Sequence, residues 1–382
     1  APKGVDNASM FDLESALRRV IEIEGSDLHL KVPSKPLIRC MGQLEPIPDT
    51  DDLTPEDTEG ALRSLLKDQG KLEEFADEHE VDFSYSLPGL SRFRVNAFLQ
   101  RGVISLVCRA VPHEIRSIEQ LGLPEVISQI ADEERGIILV TGTTGSGKSS
   151  TLAAMIDQIN RFHSKHIVTI EDPIEFLHRD KRSVINQREV GQDTASFKRA
   201  LRRVLRQDPD VILVGEMRDE ETVSTALSAA ETGHLVLSTL HTVDAPETIN
   251  RIIDFFPPHM NQQVRAMLAG TVKAVVSQRL VKRADGQGRV ACCEVLRMTG
   301  RVRDMIMIPE ETGKLCDVIA EGAYYGMQTF DQALLAHVQA GRVTMEEAMR
   351  AATSPHDFKL MVASDGQRST SVDQLMTTEP VA

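Results

Sequence analysis

A phosphate-binding loop pattern, G-x-x-x-x-G-K-[ST], occurs within residues 137–149, which read IILVTGTTGSGKS. Glycines in such a loop let successive backbone N–H groups converge on one point, and the helix that follows directs its positive end to that point. Lys148 can then reach the β- and γ-phosphates of a nucleotide, and the hydroxyl of Ser149 can bind Mg²⁺. The pattern therefore predicts ATP and Mg²⁺ as ligands of a loop formed by Gly142, Thr143, Thr144, Gly145, Ser146, Gly147, Lys148, Ser149 and Ser150.

Carboxylates follow two further apolar segments, as a phosphate-binding loop requires. The segment VILVGE ends at Glu216, which can orient or polarise the attacking water and, with Ser149, hold Mg²⁺ partly through water. The segment HIVTIEDPIEF carries Glu171, Asp172 and Glu175 around a proline turn. Parallel sheets bind ligands at the carboxyl ends of their strands. Both segments are therefore predicted to be strands that end beside the loop.

Two histidines bracket a third apolar segment, LVLSTL, with His234 before it and His241 after it. A strand of this length spans about 20 Å, so the two rings cannot share one site unless neighbouring chain supplies a partner to each. His241 is predicted to lie beside the phosphates, where it can sense the γ-phosphate. His234 is expected at the opposite end, where it can pair with a carboxylate. On the residues alone, a structural role is the favoured interpretation of His234.

Arginines recur in two parts of the chain. In FKRALRRVLRQDPD they follow helical spacing, which indicates either a solvated basic face or a row of guanidinium groups directed at phosphate or at a neighbouring subunit. Arginines in the N-terminal strands, including Arg92, are costly to bury, so some are expected to face a cleft or an interface. The candidates for a sensor role, or for action on a neighbouring subunit's nucleotide, are Arg94, Arg101, Arg109, Arg199, Arg202, Arg203, Arg206 and Arg218.

Hydrophobic patterning indicates which elements position these residues. From residue 137 onward, near-continuous apolar segments alternate with helical stretches, which is typical of an α/β fold with a parallel sheet covered on both faces. Residues 11–110 combine segments of period two, such as SRFRVNAFLQ, with helical character at 11–24 and 53–80. They predict a small α+β domain. After about residue 260 the chain is predicted to be mostly helical, with VRAMLAGTVKAVVSQRL as its clearest amphipathic helix.

The predicted domain organisation has five parts. These are a flexible tail at 1–10, the α+β domain at 11–110, an interdomain linker at 111–124, an α/β domain with a C-terminal helical subregion at 125–363, and a disordered tail at 364–382. The linker reads VPHEIRSIEQLGLP, with a proline near each end and little periodicity, and is the expected hinge. The final segment is polar and poorly patterned, which favours disorder.

Composition excludes several classes of protein. The formal net charge of −14 makes a bulk electrostatic grip on nucleic acid or on an anionic membrane unfavourable, so no direct nucleic-acid contact is expected. No run approaches the ~20 apolar residues of a transmembrane helix, and the N-terminus lacks the pattern of a secretory signal. The five cysteines form no C-x-x-C pair, which indicates reduced cytosolic thiols rather than a disulfide framework or a metal site.

Four segments together resemble known sequence boxes. GTTGSGKS (142–149), TIEDPIEF (169–176), DPDVILVGEMRD (208–219) and ETGHLVLSTLHT (231–242) look like the Walker A, Asp, Walker B and His boxes of the hexameric secretion and type IV pilus ATPases, in that order. Within that superfamily, residues 11–362 resemble the pilus retraction ATPase (PilT) family. The segments INQREVG, AVVSQRL and GMQTFDQAL add to the resemblance.

This resemblance implies a PAS-like N-terminal domain, a RecA-like ATPase domain and a ring of six subunits, with nucleotide held between the two domains of one chain. It assigns Glu216 to catalysis, Glu175 to the Asp-box acid, and His234 and His241 to the His box. Arginines of the small domain or of a neighbouring subunit would complete the site. The implied protein is a cytoplasmic motor at the inner face of the cytoplasmic membrane. Its implied partners are an inner-membrane pilus platform protein, pilin subunits indirectly, and a related ATPase.

Two features bear on which motor this is. Pilus assembly and type II secretion ATPases usually carry a zinc module of paired C-x-x-C motifs, where this chain reads VKRADGQGRVACCEVL, which favours retraction. The retraction family has a segment resembling AIRNLIRE, which appears here as RVRDMIMIPE with Arg303 retained and Ile308 at the second basic position. An accessory retraction ATPase, an assembly or type II secretion ATPase and a DNA-translocating motor are the alternatives.

Overall fold

The computed structural model describes residues 11–40, 42–112 and 114–364. The chain divides into two compact units: an N-terminal unit that runs to Glu114 and includes Glu175–Leu177, and a C-terminal unit formed by the remainder from Ile115. The tails predicted at 1–10 and at 365–382 lie outside the described residues. Ser364, the first residue of the predicted C-terminal tail, caps the last helix, and its backbone N–H donates to Leu360.

The N-terminal unit contains a six-stranded antiparallel sheet in the order β3-β2-β1-β6-β5-β4. Its strands are β1 (Asp27–Leu30), β2 (Leu37–Cys40), β3 (Gln43–Pro46), β4 (Glu80–Leu87), β5 (Ser91–Gln100) and β6 (Val103–Ala110), and its helices are α1 (Leu13–Glu22), α2 (Pro55–Leu65) and α3 (Gln69–Glu78). Alternate residues of β5, among them Phe93, Val95 and Ala97, are buried in one core with Leu17 of α1 and Leu62 of α2. The expected α+β unit is confirmed.

The strand β3 was not predicted. All four of its residues are exposed. Because buried and exposed positions do not alternate, the sequence carries no strand pattern there.

The C-terminal unit contains a seven-stranded sheet in the order β13-β12-β7-β11-β10-β8-β9. Its strands are β7 (Gly136–Thr141), β8 (His166–Glu171), β9 (Val184–Glu189), β10 (Val211–Val214), β11 (Leu235–Leu240), β12 (Val272–Lys282) and β13 (Arg289–Arg297). The six strands β12, β7, β11, β10, β8 and β9 are all parallel to their neighbours in the sheet. The edge strand β13 is antiparallel to β12. The predicted parallel sheet is therefore confirmed.

Helices cover both faces of this sheet. They are α4 (Val126–Ala131), α5 (Lys148–Phe162), α6 (Phe197–Val204), α7 (Glu220–Glu231), α8 (Ala245–Asp254), α9 (Asn261–Thr271), α10 (Gly300–Met307), α11 (Pro309–Thr312), α12 (Leu315–Glu321), α13 (Phe330–Gln339), α14 (Met345–Ala351) and α15 (Pro355–Ala363), with 3₁₀ turns at Pro258–Met260 and Ala323–Tyr325.

Alternate residues of β7 enter two different cores. Ile137 and Leu139 belong to the core that includes residues of α7, α8 and α9, whereas Ile138 and Val140 belong to the core that includes residues of α4 and α5. Burial on both faces explains why this strand reads as a continuous apolar run.

The prediction that the chain is mostly helical after about residue 260 is wrong in part, because β12 and β13 lie there. The segment VRAMLAGTVKAVVSQRL was expected to be a single helix, but α9 ends at Thr271 and β12 begins at Val272. The strand lies beside β7 and most of its residues are buried. Its apolar residues therefore fit helical spacing as well as they fit a buried strand. Tertiary pairing with β7 and β13 decides the outcome, and the β-branched Val272, Val275 and Val276 suit it.

Candidate active site

The phosphate-binding loop connects β7 to α5. Gly142 (φ 139°) and Gly147 (φ 93°) both adopt backbone conformations that favour glycine, and Gly147 caps the start of α5. Lys148 is buried, and its Nζ donates to the carbonyl oxygens of Gly142 at 2.7 Å and Thr143 at 3.0 Å. Thr143, Thr144 and Gly145 are exposed, Ser149 and Ser150 are half-buried, and Ser146 is buried. The ammonium group of Lys148 is thus hydrogen-bonded within the loop, where an entering phosphate can contact it.

Glu216 lies two residues after the end of β10. Its Oε2 accepts a hydrogen bond from Arg218 at 2.7 Å, and its Oε1 lies 3.2 Å from Nε2 of His241. Partial burial acts to raise the pKa of Glu216, but the hydrogen bond from Arg218 and the charges of His241 and Arg218 outweigh burial, so the pKa lies below its usual value. Glu216 is therefore an ionised carboxylate at neutral pH.

Strand pairing brings Glu216 and His241 together. The strands β10 and β11 run in parallel with Val214 opposite Ser238, so the segments that follow them leave the sheet at the same edge. The Thr239 hydroxyl donates to the carbonyl of Gly215 at 2.7 Å, and the Met217 N–H donates to the carbonyl of Thr239 at 3.3 Å. Because β11 also pairs in parallel with β7, this edge is the one at which the phosphate-binding loop lies.

The segment that follows His241 is tied to α8. The hydroxyls of Thr242 and Thr248 are hydrogen-bonded at 2.7 Å, and the side chain of Asp244 caps α8 by accepting from the backbone N–H of Glu247. Ala245, the first residue of α8, donates its N–H to Oε1 of the buried Glu294 side chain on β13 at 2.9 Å. These bonds hold the backbone next to His241, whose side chain is 48% exposed.

The structure places His234 at the other edge of the sheet. Its carbonyl accepts the N–H of Gly136, the first residue of β7, whereas the phosphate-binding loop follows the last residue of that strand. Its Nδ1 lies 2.9 Å from the carbonyl oxygen of Ala229 and 3.3 Å from the hydroxyl of Thr232. Within one chain, His234 therefore does not join His241 and Glu216. Among the described residues, no carboxylate lies at its hydrogen-bonding ring nitrogen.

The predicted acidic residues at the end of β8 and in the turn that follows it have separate partners. The Glu171 carboxylate accepts from the hydroxyl of Thr169 at 2.7 Å and from Gln187 at 3.2 Å. Glu175 lies 3.9 Å from Arg94 of β5, and the segment that contains it is grouped with the N-terminal unit.

Glu189, the last residue of β9, is an acidic residue that the sequence did not single out. It is buried, and its Oε2 accepts the backbone N–H of Ile174 at 2.9 Å, so it anchors the turn between β8 and Glu175. The resemblance of INQREVG was the only signal for it.

The candidate arginines occupy different surroundings. On α6, Arg199, Arg202 and Arg203 are exposed, and Arg206 lies beyond the end of the helix. Arg202 and Lys198 both pair with Glu221 of α7, so Arg202 serves an ion pair within the chain.

In the N-terminal unit, Arg109 donates to the buried Asp27 at 2.7 Å and stands opposite Arg94 in the sheet. Arg101 occupies the exposed turn between β5 and β6 with a φ of 54°. Of the eight candidates, the structure brings Arg218 to Glu216 and Arg94 to Glu175.

Comparison with known proteins decides the family. The pattern of the type II/IV secretion system proteins matches residues 86–354. The chain belongs to this family. It is 44% identical over 333 residues to the type IV pilus retraction ATPase PilT of Pseudomonas aeruginosa, covering 87% of this chain and 96% of that protein. It is 40% identical over 373 residues to the type IV pilus ATPase PilU of the same organism, covering 97% of each chain.

A solved structure of the family is also similar. The crystal structure of the pilus retraction motor PilT with bound ADP superposes with a TM-score of 0.84 at 42% identity, covering 92% of this chain and all of that one. This type II/IV secretion system protein is an ATP-hydrolysing P-loop ATPase that binds nucleotide. Among its described residues, no helix combines the length and apolar character needed to cross a bilayer.

Proposed function

We propose that this ATPase is a motor that retracts type IV pili. The observation that carries the proposal is the arrangement at one sheet edge of the Lys148 loop and the Glu216–His241 pair, in a chain that closely matches a pilus retraction motor bound to ADP. Retraction needs a motor that couples repeated ATP hydrolysis to movement. These groups are suited to the hydrolysis step.

The chain's own residues have distinct roles in the proposed reaction. The loop N–H groups and Lys148 bind the phosphates. Glu216 accepts a hydrogen bond from the attacking water and orients it towards the γ-phosphate. Its lowered pKa keeps it ionised but makes it a weak base, which favours orientation of the water over full removal of its proton. His241 contacts Oε1 of this carboxylate through its Nε2. In this position it senses the γ-phosphate.

The residues at this edge fit Mg²⁺. Ser149 offers a hydroxyl oxygen from the first turn of α5, and Glu216 offers a carboxylate, and both are the hard oxygen donors that this ion prefers. Among the described residues, no cluster of three His, Cys, Asp or Glu side chains is arranged to hold a metal by itself. Water and nucleotide phosphates are therefore expected to complete the coordination. When bound, the ion neutralises charge on the phosphate oxygens.

The proposed assembly is a homo-hexamer at the inner face of the cytoplasmic membrane, acting on a pilus platform protein and through it on pilins. Exposed arginines of α6, such as Arg199 and Arg203, are suited to reach a neighbouring subunit. Light scattering on the nucleotide-bound protein should give six copies of the 42.2 kDa chain. A mixture of Arg203→Ala and Lys148→Ala subunits should recover hydrolysis that neither has alone, and no recovery at any ratio would remove Arg203 from a role between subunits.

An accessory pilus ATPase is the second candidate. The similarity to PilU extends over 97% of both chains, whereas the similarity to PilT covers 87% of this one. In addition, Ile308, which replaces the second basic residue of the retraction-type segment, is 48% exposed at the end of α10. An apolar side chain there alters the surface on which the retraction segment would act.

Deletion of the gene in the source organism tests the proposal. We expect excess surface pili by electron microscopy and loss of twitching, restored by the wild-type gene but not by Glu216→Gln. Cells without surface pili would contradict retraction and indicate an assembly motor. Normal numbers of pili with weakened twitching would favour the accessory role.

A further inference from the structure

Gln278 contacts both ends of the phosphate-binding loop. It lies on β12, which pairs in parallel with β7 so that Ser277 stands opposite Thr141. Gln278 is therefore next to Gly142, the first residue of the loop, although the two are far apart in sequence. Its side chain is only 3% exposed. The sequence offered no chemical role for it, since the segment was expected to be helical.

The backbone of Gln278 lies against the beginning of the loop. A Cβ atom placed on Gly142 would come within 2.4 Å of the carbonyl oxygen of Gln278, closer than a carbon atom can approach an oxygen without displacement. Gly142 therefore has no room for a side chain on the side that faces β12. The Thr141 hydroxyl, one residue earlier, donates to the hydroxyl of Ser277 at 3.0 Å and holds the two strands in this register.

The side chain of Gln278 lies at the end of the loop. Its Oε1 accepts a hydrogen bond from the buried hydroxyl of Thr151 at 2.7 Å, in the first turn of α5. Its Nε2 would lie 2.7 Å from a Cβ atom on Gly147. The amide is therefore held by α5 and packs against the glycine that starts this helix.

We propose that Gln278 is a positioning residue for the phosphate-binding loop. Its carbonyl sets the position of Gly142 and its amide, oriented by Thr151, sets the position of Gly147. Both ends of the loop are thereby held before nucleotide arrives. A loop whose N–H groups already converge loses less conformational entropy when phosphate binds, so nucleotide affinity is higher.

Titration of the full-length protein with ADP in the presence of magnesium chloride tests the proposal. Gln278→Leu should weaken ADP binding by about tenfold, since one buried hydrogen bond and its packing are lost. The effect should appear in KM for ATP more than in kcat, because the loop binds substrate and transition state alike. Lys282→Gln is the matched control: it changes the exposed last residue of the same strand and should leave ADP affinity within about twofold.

A second variant keeps the test decisive if Gln278→Leu folds poorly. Thr151→Val removes only the hydroxyl that orients the amide and should weaken ADP binding in the same direction by less. The double variant should bind ADP no more weakly than Gln278→Leu, because the two residues act as one unit. Unchanged affinity in Thr151→Val, or additive losses in the double variant, would overturn the proposal. A loss confined to kcat would also overturn it.

Discussion

Nε2 of His241 lies 3.2 Å from Oε1 of Glu216, although the two residues follow different strands of the sheet. The pair forms because β10 and β11 are parallel neighbours whose carboxyl ends leave the sheet side by side. Arg218 donates a hydrogen bond to the second oxygen of the same carboxylate. Glu216 is thus held from two sides by groups that favour its ionised form.

Glu216→Gln should bind nucleotide normally and hydrolyse it at least about 100-fold more slowly, because an amide of the same shape cannot orient water as a carboxylate does. The measurements are ADP affinity by calorimetric titration and phosphate release under saturating ATP.

Glu220→Gln serves as the control for this variant. Glu220 is an exposed carboxylate of the same region, in the first turn of α7, and its substitution should leave turnover unchanged. Turnover by Glu216→Gln close to that of the wild type would remove Glu216 from the chemical step.

Arg218→Gln should shift the acid limb of the kcat/KM profile to higher pH. The hydrogen bond and charge of Arg218 help to hold the pKa of Glu216 below its usual value against the effect of partial burial. Without them the pKa rises, so Glu216 becomes protonated, and activity is lost, at a higher pH than in the wild type. Profiles recorded from about pH 5 to pH 8 give the comparison. An acid limb that does not move would show that another group controls it.

Glu294→Gln should change how stability depends on pH. Burial raises the pKa of Glu294 to about 7, with Asp244 and Asp331 adding to the rise and the N–H of Ala245 and the charge of Arg279 opposing it. The folded state therefore retains a proton that the unfolded chain releases near pH 4.3. Stability from this group is complete below the unfolded pKa and is lost as the pH rises through about 7.

The free energy of unfolding of the wild type should accordingly fall, relative to Glu294→Gln, by about 2–3 kcal/mol between pH 5 and pH 8. Urea unfolding at both pH values gives this difference. Glu321→Gln is the control, because Glu321 forms an exposed pair with Arg301 and should show no such difference. Parallel pH curves for the wild type and Glu294→Gln would contradict the raised pKa.

Gly142→Ala should destabilise the fold more than Gly145→Ala. Both glycines have positive φ, so alanine is strained at either position by about 1 kcal/mol. At Gly142 the new methyl group would also meet the carbonyl of Gln278, whereas at Gly145 it would meet no atom within 4 Å. Thermal melting without nucleotide should therefore rank the wild type first, Gly145→Ala second and Gly142→Ala last. Equal losses of stability in the two variants would mean that β12 shifts to accommodate the methyl group at Gly142.

Much of the candidate site was predictable because its signals are local. The spacing of Gly142, Gly147 and Lys148 defines the turn between a strand and a helix, and Glu216 lies two residues after an apolar strand. The opposite positions of His234 and His241 follow from the length of β11 alone. The family resemblance grouped both histidines in one box, but the structure gives them different neighbours.

The sequence by itself determined the phosphate-binding loop, the strands that precede Glu216 and His241, and the parallel sheet, because each depends on residues adjacent in the chain. Only the tertiary structure decided that β12 is a strand, that Gln278 reaches Gly142 and that Glu294 holds the start of α8. These contacts join segments that are distant in sequence. Local periodicity carries no information on them, because a buried apolar run suits a helix or a strand until its neighbours select one.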